Sequence, residues 1–286
     1  MTIRNPIEWS GAQIASAAHA ANQIGNAVHH MQDTAHSPAP AVRRISGSDV
    51  WQSLREGFAD FQAYRSDVIF LCATYALVGL VLARLAFGTA LLPLLFPLAS
   101  GFAIIGPLAA VGLYEMSRMR EKGAEVGWAN VFDVLKAPAI AGIAALGMIL
   151  IAVFLLWLAA AWIIFDNTLG PTVPASPDAF LRDVFLTPDG QTMIVVGMGV
   201  GFLFALLAMM LSVVSFPLLL DRDTGLDTAI KTSFRAVLAN PGPMALWGFL
   251  VAAILLVGMA VVFVGLVVAV PVLGHATWHL YRKLVA

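Results

Sequence analysis

The sequence predicts an all-α integral membrane protein, a polytopic bundle of six transmembrane helices. Composition is the first indication, since 60% of the 286 residues are hydrophobic, 12% are charged and the mean hydropathy is +0.86. Soluble globular proteins carry about 25% charged residues, so much of this apolar surface is expected to face lipid. The second indication is a series of apolar stretches of the length that an α-helix needs to cross a bilayer, about 20 residues.

The last of these stretches, Met244 to Arg282, is apolar almost throughout and nearly twice the length of one span. It must therefore fold back on itself. Gly258 and Gly265 are where a tight reversal costs least, because glycine adopts positive φ freely. We therefore predict two spans here, and a histidine pair near the end of the second.

The full set of predicted spans follows from the same reasoning. The spans cover residues 68–87, 92–114, 139–165, 192–220, 244–262 and 265–282. They form a membrane domain at 46–286, which follows a polar, alanine-rich cytoplasmic arm at 1–45. Apolar residues recur in the arm every seven positions, and four of the six histidines lie there: His19, His29, His30 and His36. A solvated tail, a loose metal site and a pH-sensitive arm are the open interpretations.

An amphipathic helix precedes each odd-numbered span, so the domain reads as three helical hairpins, each with a helix at the cytoplasmic surface. The apolar stripes of these helices are Trp51, Leu54, Phe58 and Phe61, then Trp128, Val131, Phe132 and Leu135, then Leu226, Ile230, Phe234 and Val237. The even spans share a further feature, a proline shortly before a polar end: Pro107, Pro217 and Pro271.

The distribution of basic residues predicts the orientation. Apart from Arg84 and Arg182, every lysine and arginine falls in the N-terminal segment, in two loops on the same side or at the C-terminus. The positive-inside rule then places both termini in the cytoplasm of a bacterium, with the protein in the inner membrane. The acidic loop at 166–191 lies outside, where a short helix starting at Ser176 is expected to cap the bundle.

Polar residues at the cytoplasmic ends of the even spans form the candidate site. Glu115, Asp221 and His275 occupy corresponding positions and could converge as a cation, proton or metal site. The other members of this candidate cluster are Tyr114, Arg118, Arg222, Trp278, His279 and Arg282.

His275 and His279 are four residues apart on one helical face, a spacing that allows two imidazoles to ligate one metal. Two ligands do not complete a site. The alternative is interfacial packing with hydrogen bonds, in which Trp278 and Tyr281 form an aromatic belt. In the same way, Arg118 and Arg222 could simply pair with the carboxylates.

Three stretches of the chain resemble a bacterial family of predicted integral membrane proteins of unknown function: Gly106 to Arg118, Ser215 to Arg222, and Pro271 to Arg282. The resemblance extends from about Ser48 to the C-terminus. It implies an inner-membrane protein with several spans and supplies no activity or ligand. Members are sometimes labelled as similar to a cytochrome oxidase subunit, and only His275 and His279 in this chain could serve such a role near the membrane.

No motif in the sequence indicates catalysis or nucleic-acid binding, and the single Cys72 excludes a disulfide framework or a thiolate cluster. We therefore expect no enzyme and no bound cofactor. We expect instead an interaction, scaffold or assembly protein whose partners are the lipid bilayer and other membrane proteins. The stripe of Gly197, Gly201 and Ala205 would let membrane helices approach closely. The alternatives are a small transporter or channel, or a metal- or haem-associated membrane protein that uses His275 and His279. The oligomeric state is left open.

Overall fold

A computed structural model describes residues 34, 37–86, 92–124, 134–135, 137–170, 176–260 and 264–286, with side chains described for only part of 64–86. Two predictions fall outside these residues. They are the heptad pattern of the N-terminal arm and most of the second amphipathic helix, from Trp128 onward.

All regular elements within the described ranges are helical, which confirms the all-α class. In chain order they are α1 Gly47–Ala86, α2 Leu95–Ala109, α3 Val111–Glu121, α4 Ile140–Asp166, α5 Pro177–Leu186, α6 Pro188–Ser212, α7 Ser215–Asp221, α8 Leu226–Ala239, α9 Pro241–Ala260 and α10 Leu266–Leu284. A short 3-10 turn, Leu92–Leu94, leads into α2.

Four helical segments in the described part of the chain are long and apolar enough to cross a membrane. They are Leu92–Ala109, Ile140–Asp166, Pro188–Asp221 and Pro241–Ala260. Their outward faces suit lipid: Leu156 on α4 is 62% exposed and Phe202 on α6 is 65% exposed. A membrane protein with several apolar helices is therefore supported, while six spans in three hairpins stay a prediction.

The first amphipathic helix and the first predicted span form one continuous helix, α1, so the prediction of a separate surface helix is wrong. The buried face includes only part of the predicted apolar stripe. Phe61 is buried and Leu54 is half-buried, whereas Trp51 and Phe58 are 47% and 46% exposed. The rest of the buried face is small or polar: Ser53, Gly57 and Asp60. Close packing against α10 explains this choice of face, because a Cβ on Gly57 would lie 2.6 Å from the Cα of Ala276.

Helix α8 shows the same preference for small side chains on its packed face. The helix forms where the sequence predicts it, but Ile230 and Phe234 are only half-buried. Its buried residues are Thr228, Ala229, Thr232, Ser233, Ala236 and Val237. The hydroxyl of Ser215 donates to the carbonyl of Ala229 at 3.2 Å, which ties α7 to α8.

The last apolar stretch consists of two helices, α9 and α10, that approach each other at Gly258 and Gly265. A Cβ on Gly265 would lie 2.7 Å from the Cα of Gly258. Gly265 has a φ of −62°, so positive φ is not the reason for glycine here. The requirement is the close approach of two backbones. Beyond this point α10 packs chiefly along α1.

A strap at residues 37–46 crosses the end of the bundle where the chain terminates. Val42 pairs with Val285 in an isolated antiparallel bridge. Ile45 donates its N–H to Asn240 Oδ1 at 2.8 Å, and Asn240 Nδ2 donates to the carbonyls of Arg43 and Ala236 at 3.1 and 3.0 Å. The beginning of the described chain and its C-terminus therefore lie side by side.

The short helix α5 begins as predicted. Ser176 caps it by accepting a hydrogen bond from the Ala179 N–H at 3.1 Å, and Pro177 occupies its first turn.

Only part of the small-residue stripe on α6 packs against another described helix. Gly201 faces the ring of Trp157, while nothing among the described residues lies within 4 Å of a Cβ placed on Gly197.

Candidate functional site

Asp60 is the centre of a polar cluster at the strap end of the bundle. It is 4% exposed and lies on the packed face of α1. Its Oδ2 accepts hydrogen bonds from Ser117 Oγ at 2.6 Å and from His279 Nε2 at 2.9 Å. Its Oδ1 accepts from the guanidinium of Arg120. One carboxylate thus joins α1 to α3 and α10, helices that are far apart in the sequence.

His275 lies behind Ser117 and is completely buried. Ser117 has one hydroxyl proton, and it donates this proton to Asp60. The contact of 2.8 Å between Ser117 Oγ and His275 Nδ1 must therefore have Nδ1–H as its donor. We infer that the neutral ring is the Nδ1–H tautomer. Its Nε2 then carries a lone pair, and no described residue forms a hydrogen bond with it.

The outer part of the cluster consists of ion pairs between α10 and the other two helices. His279 Nδ1 lies 3.7 Å from Glu56 Oε2, and Lys283 Nζ donates to the same oxygen at 3.0 Å. Glu121 accepts from Trp278 Nε1 at 3.1 Å and from Arg282 Nε at 3.0 Å. His279, Arg282 and Lys283 therefore each have a carboxylate partner.

A cavity of about 570 Å³ lies among these side chains. Its lining residues are Glu56, Asp60, Ser117, Arg120, Glu121, His279, Arg282 and Lys283. Three carboxylates face three permanently charged bases, so the lining is close to neutral when His279 is uncharged. Arg120 and Arg282 are each 40% exposed and Glu121 is 44% exposed, whereas Asp60 lies at the buried side.

The surroundings of Asp60 favour its charged form. Burial by itself raises the pKa of a carboxyl group, because it removes water from the anion. The hydrogen bonds that His279 and Ser117 donate, together with the electrostatic attraction of His279, outweigh burial and hold the pKa of Asp60 below its usual 3.8. Asp60 is therefore an ionised acceptor, as the direction of the Ser117 hydrogen bond requires.

The predicted trio of Glu115, Asp221 and His275 lies at this end of the bundle, but each of the three side chains bonds to different partners. Glu115 forms a two-pronged pair with Arg118, at 2.7 and 2.8 Å. Asp221 accepts from Tyr281 Oη at 2.8 Å and from Arg282 Nη1 at 3.3 Å. The alternative in which arginines pair with these carboxylates is therefore observed for Arg118.

The other predicted site residues take structural positions around this network. Arg222 lies 3.8 Å from Asp221 and also donates to the carbonyl of Ala286 at 2.5 Å. Tyr114 and Trp278 are fully buried, with exposures of 1% and 0%. Trp278 and Tyr281 contact each other, with ring centroids 5.5 Å apart. These aromatic rings pack inside the cluster, which differs from the predicted membrane-facing belt.

A metal site at His275 and His279 has no geometric support in the described part of the chain. No group of three or more His, Cys, Asp or Glu side chains there is arranged to hold a metal ion. His275 Nδ1 contacts Ser117 and His279 Nε2 contacts Asp60, so each ring already uses one nitrogen. A metal or haem bound by this pair stays a prediction.

Sequence reasoning missed most of the residues that form the cluster. They are Glu56, Asp60, Ser117, Arg120, Glu121 and Lys283. One signal was present, because Ser53, Gly57 and Asp60 recur at helical spacing and mark a small, polar face of α1. The prediction instead used the apolar stripe of larger side chains, of which Trp51 and Phe58 are exposed.

One comparison with known proteins agrees with this description. Residues 95–221 match the family model described as "Predicted integral membrane protein (DUF2189)", which confirms the resemblance to a membrane-protein domain of unknown function. The match covers just under half of the chain and includes the stretch at 106–118 and all but the last residue of the stretch at 215–222, but not the one at 271–282. No curated protein and no solved structure matches the chain.

Proposed function

We propose that this protein is a non-enzymatic membrane protein that binds other membrane proteins as an interaction, scaffold or assembly factor. The observation that carries the proposal is the internal pairing of the Asp60 cluster. Asp60 has three partners on two other helices, and Glu56, Glu121 and Asp221 each bind a base of α10. Such pairing suits a rigid platform that holds helix ends in a fixed arrangement.

The apolar helices support an interaction role over transport. Across the described residues of α9 no side chain carries a charge, a hydroxyl or an amide, and α4 has such a group only at Asp166. The indole N–H of Trp157 on α4 donates to Ser100 Oγ at 2.8 Å, so this polar group is satisfied locally. A transported solute would need a longer polar path than these helices offer.

An aromatic surface near the cluster is available to a partner. Trp51 and Phe58 lie seven residues apart on α1, so they share one face, and both are about half exposed. Arg55 is exposed between them. Aromatic and arginine side chains are enriched at protein interfaces, where they often dominate the binding energy.

For topology, we propose six spans in three hairpins in the bacterial inner membrane, with both termini in the cytoplasm. The contact between residues 41–43 and 284–286 supports a common side for the arm and the C-terminus. The basic residues near both segments support the cytoplasmic assignment. Reporter fusions after Arg118, after Gly190 and at the C-terminus test it, and a periplasmic C-terminal fusion would contradict it.

The interaction role is tested by photo-crosslinking in native membranes. A photoreactive amino acid at Trp51 or Phe58 is expected to give a defined adduct with another membrane protein, which is then co-purified and identified. The same group at the exposed Asp178, at the far end of the bundle, is the matched control. Recovery of the uncrosslinked protein alone from both α1 positions would contradict an assembly role.

A second candidate, a small transporter or channel for an ion or small solute, is favoured by the cavity that reaches the buried Asp60 and Ser117. Reconstituted vesicles would then show a proton or cation flux that Asp60→Asn abolishes. Absence of any flux would contradict a transport role, and a flux that survives this substitution would exclude the cavity as its route.

Metal analysis of the purified protein, with His275→Ala and His279→Ala as controls, tests the metal- or haem-associated alternative.

A further inference from the structure

Helix α5 lies against the ends of the two longest apolar helices, at the end of α4 and the start of α6. The ring of Phe180 meets Phe165, in the last turn of α4, edge-on with centroids 6.4 Å apart. A Cβ on Gly190, in the first turn of α6, would lie 2.6 Å from the Cα of Val184 and would also collide with the carbonyl oxygen of Asp183. Both contacts hold α5 at the level where the apolar helices end.

The chain changes direction sharply between α5 and α6. Thr187 is the only residue between them, and its φ of −105° and ψ of 152° are extended. Its hydroxyl accepts a hydrogen bond from the Gly190 N–H at 3.0 Å, which caps α6 as a separate helix. Helix α5 is therefore not a continuation of α6, and it folds back onto the first turn of α6 as a fixed element.

The side chains of α5 divide into three groups around the helix. Val184 faces the bundle and is 8% exposed, while Leu181 and Phe185 are 53% and 60% exposed although they are apolar. Leu181 and Phe185 are four residues apart and so share one edge of the helix. Among the charged residues, Asp183 lies on the side opposite this edge, whereas Asp178 and Arg182 border the edge.

The exposed edge of α5 lies next to apolar surface that faces lipid. Ile163, three residues before the end of α4, is 60% exposed, and Val195, near the start of α6, is 73% exposed. At a rise of about 1.5 Å per residue, both side chains are within roughly 10 Å of the helix ends. The lipid-facing surface thus continues up to the level of α5.

We propose that α5 is an interfacial helix, with Leu181 and Phe185 inserted at the boundary between headgroups and acyl chains of the bilayer. Short amphipathic helices with a polar opposite face bind membranes in this position. Asp166, Asp178, Asp183 and Asp189 outnumber the single Arg182 in this region. The surface that fits is therefore one of zwitterionic rather than anionic lipids, because like charges would repel.

Spin labels on the full-length protein in zwitterionic lipid vesicles test this proposal. In a Cys72→Ala background, Phe185→Cys and Leu181→Cys carry the label on the apolar edge, and Asp183→Cys is the matched control on the opposite, exposed side of the helix. The labels at 181 and 185 should collide several-fold more often with oxygen than with a water-soluble nickel complex. The label at 183 should show the reverse preference.

Two results would overturn the proposal. Nickel access at 181 and 185 equal to that at 183 would mean that the edge faces water. Protection of both labels from oxygen as well as nickel would mean that protein covers the edge, for example a second copy of the chain. Each variant is first checked for elution as a homogeneous species in detergent. If one variant fails this check, the label at the other position still tests the proposal.

Discussion

His279 and Asp60 are 219 positions apart in the sequence and share a hydrogen bond of 2.9 Å between Nε2 and Oδ2. This contact joins the last helix to the first at the point where Ser117 and Arg120 of α3 also bond to Asp60. The backbones meet one turn away, at Gly57 and Ala276. Most of the behaviour we expect of the polar cluster follows from this junction.

Loss of the Asp60 charge should destabilise the whole bundle. Asp60→Asn removes a buried countercharge from Arg120 and His279, and breaking such a pair costs about 3 kcal/mol. Unfolding in a detergent titration should shift accordingly. Asp178→Asn removes an exposed carboxylate from α5 and should leave the midpoint unchanged. Equal midpoints for wild type and Asp60→Asn would show that the cluster is not structural.

The same carboxylate should make stability depend on pH in the acid range. Because the folded protein holds the pKa of Asp60 below 3.8, its contribution is complete above the unfolded value and is lost as pH falls through the folded value. Melting temperatures measured from pH 6 downward should therefore drop below about pH 4. In Asp60→Asn the fall in melting temperature below about pH 4 should be smaller by the contribution of Asp60. An equal fall in the variant and the wild type would show that other groups cause it.

Gly57 should tolerate no side chain. A Cβ there would lie 2.6 Å from Ala276 Cα, so Gly57→Ala must push α1 and α10 apart, and overpacking of this kind costs about 1–3 kcal/mol. Gly197→Ala is the matched control, because it also lies within a helix but has open space around it. Thermal unfolding should separate the two variants, and a Gly57→Ala protein as stable as Gly197→Ala would contradict the close crossing.

The tautomer of His275 can be observed directly. Nitrogen NMR of histidine-labelled protein should show one fully buried ring as the Nδ1–H form, because Ser117 accepts from Nδ1 and donates to Asp60. Ser117→Ala removes that acceptor and should weaken the preference, although the Leu113 carbonyl stays next to the ring. Thr277→Ala serves as the control, since among the described residues the Thr277 hydroxyl donates to the carbonyl of Leu273 in its own helix. An Nε2–H signal from this ring in the wild type would contradict the assignment of His275 Nδ1–H as the donor to Ser117.

Asn240 should be needed to hold the strap. Its side chain makes three hydrogen bonds, two of them to Arg43 and Ile45, and it is 3% exposed. Asn240→Ala leaves buried backbone groups unpaired and should cost about 2 kcal/mol. Limited proteolysis should then cleave near residue 43 faster than in the wild type. Asn167→Ala, which removes an exposed bond within one helix, should not change the cleavage rate.

Several features of the fold were predictable because they depend on local composition and periodicity. Apolar length identified the membrane helices, Ser176 and Pro177 marked the start of α5, and the glycines located the junction of α9 and α10. These features depend on residues near each other in the sequence, so the pattern itself carries the physical cause. The membrane-protein class was determined in the same way, by an apolar surface that water cannot solvate.

The polar cluster depended on tertiary structure. Pairing of Arg118 with a nearby carboxylate was one of two interpretations of the sequence, but the partners of Asp60 come from α3 and α10, and nothing near residue 60 specifies them. The buried face of α1 was decided by how closely α10 approaches, which favours Gly57 and Ser53 over the larger Trp51 and Phe58. Sequence by itself determined that the chain is a membrane protein built from apolar helices, and where α5 begins. Only the packing of distant helices decided which polar residues meet, because burial of Asp60 is tolerated only where its partners converge.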